Sequence, residues 1–503
     1  MNIYKRLSFC LLTCLMFLSS YINISHADIT CESFQDNAIV PKPDRLTIMH
    51  LALTHETQKG QSTLIVGPTG ITALMDVAGD ANNNDEDYIV SKISAVNTII
   101  NNDFRDENNN TIDKDLNEVD YVIITHMHGD HMANFDDLFG GANPRLKISN
   151  TVPGKTYKGK LVYRGFYDWY DDSAESAKWE IMYDTVYGGN FTDKIFKLCS
   201  GTEGESPSSS ARYPATNCYN LERGDIQLPD DTESSTNLTS FIDLGMTNTV
   251  QSKLYIYGAD RWIRTTATNN SDWPHAPSAG TNKENEASIV GILNYGNFRY
   301  AFGGDLLGNG AGANTEQYIV NNIADLREEG TSSTSLIGYD NACYGVDVYL
   351  AHHYGKDSSS QESFVDMLLP DNTSSKQVIV GLKKGYDDAP ERAAIWRLLG
   401  YSETNCNGLP TNPDRSTGPR VDTSGRVWLT RDGGNTTDCT GKPYVDYGSI
   451  VCAENASGNG ADTIIQTEPP TSYGGTNNVK KYVTKYYVSS TKKACKETVT
   501  VEP

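Results

Sequence analysis

With 503 residues the chain is long enough for one large domain or two to three ordinary ones, with ample material for a core. Its formal net charge is −22, 64 acidic residues against 42 basic ones, and no Lys/Arg cluster offers the footprint that phosphate-led binding of nucleic acid needs. The balance leaves no strong nucleic-acid-binding surface and favours small or cationic substrates over polyanions.

The first 27 residues read as a secretory signal peptide. Lys5 and Arg6 form its basic region, Leu7 to Leu18 its apolar core, and Ser25-His26-Ala27 a small-x-small cleavage site. That apolar run is too short to span a bilayer. The mature chain is therefore expected to begin near Asp28, to be exported (periplasmic or extracellular), and to carry no transmembrane segment. It keeps eight cysteines: Cys31, Cys199, Cys218, Cys343, Cys406, Cys439, Cys452 and Cys495. An even count in an exported chain favours disulfides, with Cys199–Cys218 and Cys439–Cys452 as local loops. No C-x-x-C spacing suggests a zinc knuckle.

Leu46 to Leu53, Ser62 to Val66 and Ile71 to Met75 predict strand, turn and strand, with Gly67-Pro-Thr-Gly70 as the turn. The hairpin ends in Asp76. Two Asn/Asp-rich runs, 80–87 and 106–115, flank an apolar, helix-compatible segment around Ile89–Ile100. Asp106-x-Asn108-x-Asn110 alternates oxygen ligands as a calcium loop does. It lacks the central Gly and the Glu at the twelfth position, so the reading is a solvated polar loop.

The most informative stretch follows. Tyr121 to Thr125, rich in β-branched residues, predicts a short buried strand. Directly after it come His126, His128, Asp130 and His131, with Gly129 allowing a tight turn. Four metal-capable side chains in six residues are poor core packing, because unpaired polar groups are costly to bury. In a strand-end loop, neighbours point to opposite sides. His126 and His128 can then share one ion while Asp130 and His131 face a second. Two ions about 3.5–4 Å apart can hold a bridging hydroxide and polarise an ester or phosphoryl oxygen.

The stretch 140–260 says least; it is rich in Tyr and Trp and reads as an insertion (about 140–250) walling a cleft. Leu254-Tyr-Ile-Tyr predicts a strand leading towards His275, and Asn285 to Phe302 a hairpin turning at Tyr295–Asn297. It ends in Gly303-Gly-Asp305, a carboxylate on exposed backbone where a bridging ligand would stand. A helix-like segment, Glu316–Glu329, precedes a parallel-type strand, Val346–Ala351, with His352-His353-Tyr-Gly-Lys at its end. Ser360–Leu369 is amphipathic, Val378–Leu382 predicts a buried strand and Ala389–Leu399 a helix. Residues 431–503 read as a small disulfide-pinned β appendage in which Lys480–Ser489 alternates like an edge strand.

Thr125-His-Met-His-Gly-Asp-His matches the H-x-H-x-D-H signature of the metallo-β-lactamase superfamily, and the resemblance extends over roughly residues 45–430. The chain looks closest to the branch containing the hydrolase domain of the competence DNA-uptake protein ComEC and its secreted single-domain cousins. The matching stretches are Gly60-Gln-Ser-Thr-Leu-Ile, Met75-Asp-Val-Ala-Gly, Asn285-Glu-Ala-Ser-Ile-Val, Gly303-Gly-Asp, Ala351-His-His and Ser424-Gly-Arg-Val-Trp-Leu-Thr-Arg-Asp-Gly. The resemblance implies an α/β fold, an αββα sandwich with metals at one edge of two packed sheets. It implies that His126, His128 and His275 bind one metal, that Asp130, His131 and His353 bind a second, and that Asp305 bridges them. The family's usual His-His-Gly-Ser is here His-His-Tyr-Gly-Lys, so either His352 or His353 could be the ligand. Asp76 would support the metal loop from behind.

The implied cofactors are two divalent ions, zinc by default because the ligands are largely imidazole, with manganese or iron compatible with the carboxylates. Asp130 would also be catalytic, orienting water and managing its proton. The branch points to phosphodiester substrates, including phosphorylcholine-type esters. A lactamase or lactonase is the enzyme rival, and an exported metal-binding protein without turnover the non-enzyme one. Oligomeric state is not legible.

Overall fold

The computed structural model describes residues 30–33, 40–51, 53, 60–78, 85–164, 182, 184–186, 191, 194–199, 219–220, 241–259, 261–263, 276, 283–296, 298–308, 314–322, 346–369, 377–381, 391–399, 427–429, 449–450, 462–473, 476–478, 481–488 and 493–500. They form two large sheets with helices on both outer faces.

At the centre of the first sheet, Thr47–His50, Thr63–Val66 and Thr72–Met75 run antiparallel, and Tyr121–Ile124 then pairs parallel with Thr72–Met75. Lys160–Tyr163 and Ile195–Cys199 continue it in parallel. Part of the stretch expected as an insertion thus extends the sheet. The second sheet orders Phe241–Thr247, Val250–Ala259, Val290–Tyr295, Phe298–Phe302, Val348–Leu350, Gln377–Val380, Val427–Leu429 and Ser449–Ile450. Its antiparallel half carries the expected hairpin, and its last four strands are parallel.

Strands of nearly continuous apolar sequence are what burial on both faces requires. Ile48, Ile65, Ala73, Ile123 and Val162 face Leu254, Leu293, Tyr300, Phe302, Leu350 and Ile379 across the space between the sheets. Their neighbours Leu64, Leu74, Val122 and Leu161 face outward, against Ile89, Ile93, Val96 and Ile100 of the helix Asp85–Asp103. Those four helix residues recur at the spacing of one helical face. On the far side, Ile292, Tyr349 and Val378 pack against Ile319 of Thr315–Asn322, Phe364 and Leu368 of Glu362–Leu368, and Ile395 of Arg392–Leu399. The layers are helix, sheet, sheet, helix. This is the expected αββα sandwich.

Two details differ from the sequence reading or refine it. Lys481–Val488 is no edge strand: it pairs with Thr463–Thr467 on one side and Lys493–Thr500 on the other. Alternation reports that two faces differ, not that a strand lacks a neighbour. Thr463–Thr467 in turn pairs with Thr47–His50, so the C-terminal strands extend the first sheet. The calcium-like loop consumes its own carboxylate: Asp106 Oδ1 accepts the backbone N–H of Asn108 at 2.9 Å and of Asn110 at 2.7 Å. The register sets Cys31 opposite Cys495; Cys218, Cys343, Cys406, Cys439 and Cys452 lie outside the described residues. Among the described residues no helix is long and apolar enough to cross a membrane.

Removing residues 462–503 uncovers the backbone edge of Thr47–His50 and takes away Asp462, which accepts from Tyr88 Oη at 2.6 Å and pairs with Lys92 at 2.6 Å. The truncated chain is expected to aggregate or melt several degrees lower, because an open edge templates pairing with other chains. An unchanged melting curve would contradict this. A second expectation concerns His50, which is buried, with Nδ1 3.1 Å from Thr63 Oγ1 and Nε2 without a partner among the described residues. Burial lowers its pKa to about 3, below the unfolded value of 6.5. The unfolded chain therefore takes up the proton first, and this share of stability, complete above 6.5, is lost as pH falls towards 3. Denaturant titrations across that window should show wild type losing stability relative to His50→Gln by up to about 1.4 kcal/mol per pH unit.

Candidate metal centre

Four strand ends, two from each sheet, deliver the candidate residues to one place. Thr72–Met75 leads to Asp76, Tyr121–Ile124 to His126, His128, Asp130 and His131, Phe298–Phe302 to Asp305, and Val348–Leu350 to His352 and His353.

Asp76 is buried at positive φ (58°) and holds the loop from behind. Its Oδ1 accepts the backbone N–H of Thr125 at 2.8 Å, and its Oδ2 accepts the Thr125 hydroxyl at 2.8 Å. The same Oδ2 accepts the Nδ1–H of His131 at 2.7 Å. That bond fixes the tautomer of the buried His131 ring and aims Nε2 into the cluster.

Asp305 is the hub. Its Oδ1 stands 3.1 Å from His131 Nε2, and its Oδ2 3.8 Å from His126 Nε2 and 3.6 Å from His353 Nε2. His128, half-buried, brings Nδ1 to 3.2 Å from His126 Nε2. Donor atoms of His126, Asp130, His131 and Asp305 all lie within 4.8 Å of one another. The His126 and His128 rings meet edge-on at 77°. Gly304 makes the approach of Asp305 feasible: it sits at φ 53°, and a Cβ there would stand 2.8 Å from Thr125 Oγ1.

The electrostatics is that of a site built around positive charge. Burial opposes protonation of His131, yet Asp305 and Asp76 on either side hold its pKa well above the ordinary imidazole value. Burial, reinforced by His131, pushes His126 well below it. Burial works against the charged form of Asp305 as well, but His353, His131 and His126 hold its carboxyl well below the usual range. The His131 imidazolium thus stands between the two carboxylates of Asp76 and Asp305 and offsets one of their two negative charges. A cation on His131 Nε2 would replace that proton, and the donor set of imidazoles and carboxylates fits zinc.

His353, not His352, reaches the cluster. His352 is turned away between Tyr349 and Phe364, its Nδ1 2.8 Å from Glu316 Oε1. Its Nε2 is pressed against the backbone of Gly303, where a Cβ would come within 2.2 Å. Glu316 also accepts the backbone N–H groups of Ser360 and Gln361 at 2.8 Å each, tying down the segment that follows His353. His275 lies outside the described residues.

The sequence reading missed a buried pair behind the loop. Glu284, on the short helix Lys283–Glu286, accepts the backbone N–H of Met127 through Oε1 at 2.8 Å, between His126 and His128. Arg164, just past Lys160–Tyr163, clamps both oxygens of Glu284, with Nε 2.9 Å from Oε1 and a second bond to Oε2. Both are buried. The one sequence signal was an arginine in an apolar, aromatic run, Leu161 to Trp169.

Neither a family profile nor a curated protein matches the chain. Among solved structures it is similar to a diphosphatase of the PhnP family, with 10% identity and a TM-score of 0.26, over 66% of this chain and 85% of that one. A metallo-β-lactamase superfamily protein from the archaeon Sulfolobus tokodaii aligns with 12% identity and a TM-score of 0.18, over 51% and 62%. A long-form RNase Z from yeast aligns with 9% identity and a TM-score of 0.31, over 72% of this chain and 40% of the yeast protein.

Replacing Asp76 by Asn frees the His131 ring, and zinc affinity measured by calorimetric titration should fall about 10–100-fold; unchanged affinity would remove Asp76 from this role. Arg164→Met leaves Glu284 as an uncompensated buried charge and should cost about 3–5 kcal/mol in chemical denaturation.

Proposed function

We propose that the chain is an exported metal-dependent hydrolase of phosphodiesters, with two divalent ions held by His126, His128, His275, Asp130, His131, Asp305 and His353. The observation that carries this reading is the convergence of Asp305 with His126, His131 and His353 at the ends of strands from both sheets. Buried carboxylates and imidazoles gathered without apolar filling are costly to a fold unless a ligand uses them. Divalent ions there supply Lewis-acid polarisation of a substrate oxygen and lower the pKa of water. The chain's own contributions are positional. Asp76 and Glu284 hold the loop so that His126, His128 and His131 face one point. Asp130, half-buried beside His126, His131 and Asp305, would take a proton from the attacking water.

The phosphodiester assignment rests on the sequence resemblance, chiefly Thr125-His-Met-His-Gly-Asp-His and Asn285-Glu-Ala-Ser-Ile-Val. The charge of −22 sits with small diesters rather than long nucleic acids. Metal analysis and hydrolysis of bis-p-nitrophenyl phosphate, nitrocefin and a lactone, for wild type and His128→Ala, test the reading together. About two metals per chain, with diester turnover lost in the variant, is the expected result. Turnover of nitrocefin or the lactone alone would transfer the assignment to a lactamase or lactonase. A wild-type chain that binds no metal would end the proposal.

A further inference from the structure

Tyr354 is the residue at the centre that the reading above leaves without a task. It is buried, and its Oη lies 2.9 Å from His131 Nε2, the ring nitrogen left for a metal once Nδ1 donates to Asp76. Its hydroxyl also reaches the backbone carbonyl of Asp130 at 3.3 Å. Around His131 Nε2, then, stand two oxygens, Tyr354 Oη at 2.9 Å and Asp305 Oδ1 at 3.1 Å. Atoms bound to one zinc ion at about 2.0–2.2 Å stand about 3 Å from each other at the usual bond angles. The phenol oxygen stands from His131 Nε2 at the separation two ligands of one ion have, as Asp305 Oδ1 does.

The backbone gives a second, independent observation. His353, Tyr354 and Gly355 are consecutively left-handed, with φ of 50°, 55° and 74°. Only glycine adopts this conformation freely, and a bulky side chain there costs about 1–3 kcal/mol. A tyrosine serving only as packing would have no reason to sit in it, and the resembling family places Gly directly after its His-His pair. The left-handed run has a visible result: it turns His353 Nε2 towards Asp305 and Tyr354 Oη towards His131. The surroundings over-determine the turn. His353 N–H donates to Gly304 O at 3.0 Å, Lys356 N–H returns to His353 O at 2.9 Å, and Ser358 Oγ lies 3.2 Å from His353 Nδ1.

We propose that Tyr354 is a ligand of the metal centre, its phenol oxygen binding the cation held by His131 and Asp305 and giving up its proton to solvent. The proposal rests on the metallohydrolase reading and extends its ligand set by a phenol oxygen. Iron(III) bound by a phenolate absorbs visible light, so iron can report on this ligand spectroscopically.

The test uses the full chain loaded with iron(II) and oxidised in air, alongside Tyr354→Phe, which keeps the ring and its packing. Wild type should show a visible phenolate-to-iron(III) charge-transfer band that is absent from the variant, and zinc affinity by calorimetry should drop at least about 10-fold. Circular dichroism of the two proteins should coincide. Iron bound without the band in wild type, or a band kept in Tyr354→Phe, overturns the ligand assignment while leaving the hydrolase reading intact. A wild-type chain that takes up neither zinc nor iron overturns both.

Discussion

The hydrogen bonds of one carboxylate fix the spatial relation on which the site depends. Asp76 occupies a left-handed position at a strand end, is sealed from water, and binds two backbone-anchored groups of Thr125 and one ring of His131. A buried carboxylate with three charge-assisted or strong donors is held in one orientation, because losing any of them exposes a charge to a medium that cannot solvate it. The loop from His126 to His131 inherits that rigidity. The parallel pairing of Thr72–Met75 with Tyr121–Ile124 is what brings the two strand ends level.

The same device recurs behind the centre with a different outcome. Glu316 holds His352 as Asp76 holds His131, yet Glu316 also receives two backbone N–H groups from the loop beyond. His352 is therefore a structural peg between the helix Thr315–Asn322 and the strand end, and its neighbour His353 is left to face Asp305. Glu284 and Arg164 form a third such arrangement, supporting the metal loop from the side opposite Asp76. Three buried acid–base pairs, Asp76–His131, Glu316–His352 and Glu284–Arg164, hold the cluster in place. Removing one partner is expensive in such a place, because it leaves a buried charge without its counterpart.

Much of this was legible in the chain. The β-branched run before His126 announced a strand, and the placement of four polar ligands straight after it announced a strand-end loop. Gly303-Gly-Asp305 was readable because two glycines free the backbone for a close approach. What stayed closed had physical reasons. The choice between His352 and His353 turns on left-handed backbone at a non-glycine residue, which no local propensity suggests. Glu284 resembles any helix-start acid until its partner Arg164 arrives from 120 residues away. The strand Lys481–Val488 looked like an edge because its alternation describes faces, whereas its neighbours are set by segments far off in sequence.

The closure of the first sheet by distant segments carries a consequence for how the molecule is made. Leu46 N–H bonds to Thr467 Oγ1 across 421 positions, and Thr30–Ser33 lies against Lys493–Thr500. A ribosome delivers the early strands long before their late partners exist. Thr47–His50 must wait with one side unpaired until Thr463–Thr467 has been synthesised. Contacts of such separation form slowly, because the loop must close before any of them repays its entropy. The order of synthesis and the order of strands in the sheet therefore disagree: the partner that covers the open side of Thr47–His50 is made about four hundred residues after it, and until then that side is an exposed strand edge of the kind that templates pairing with other chains.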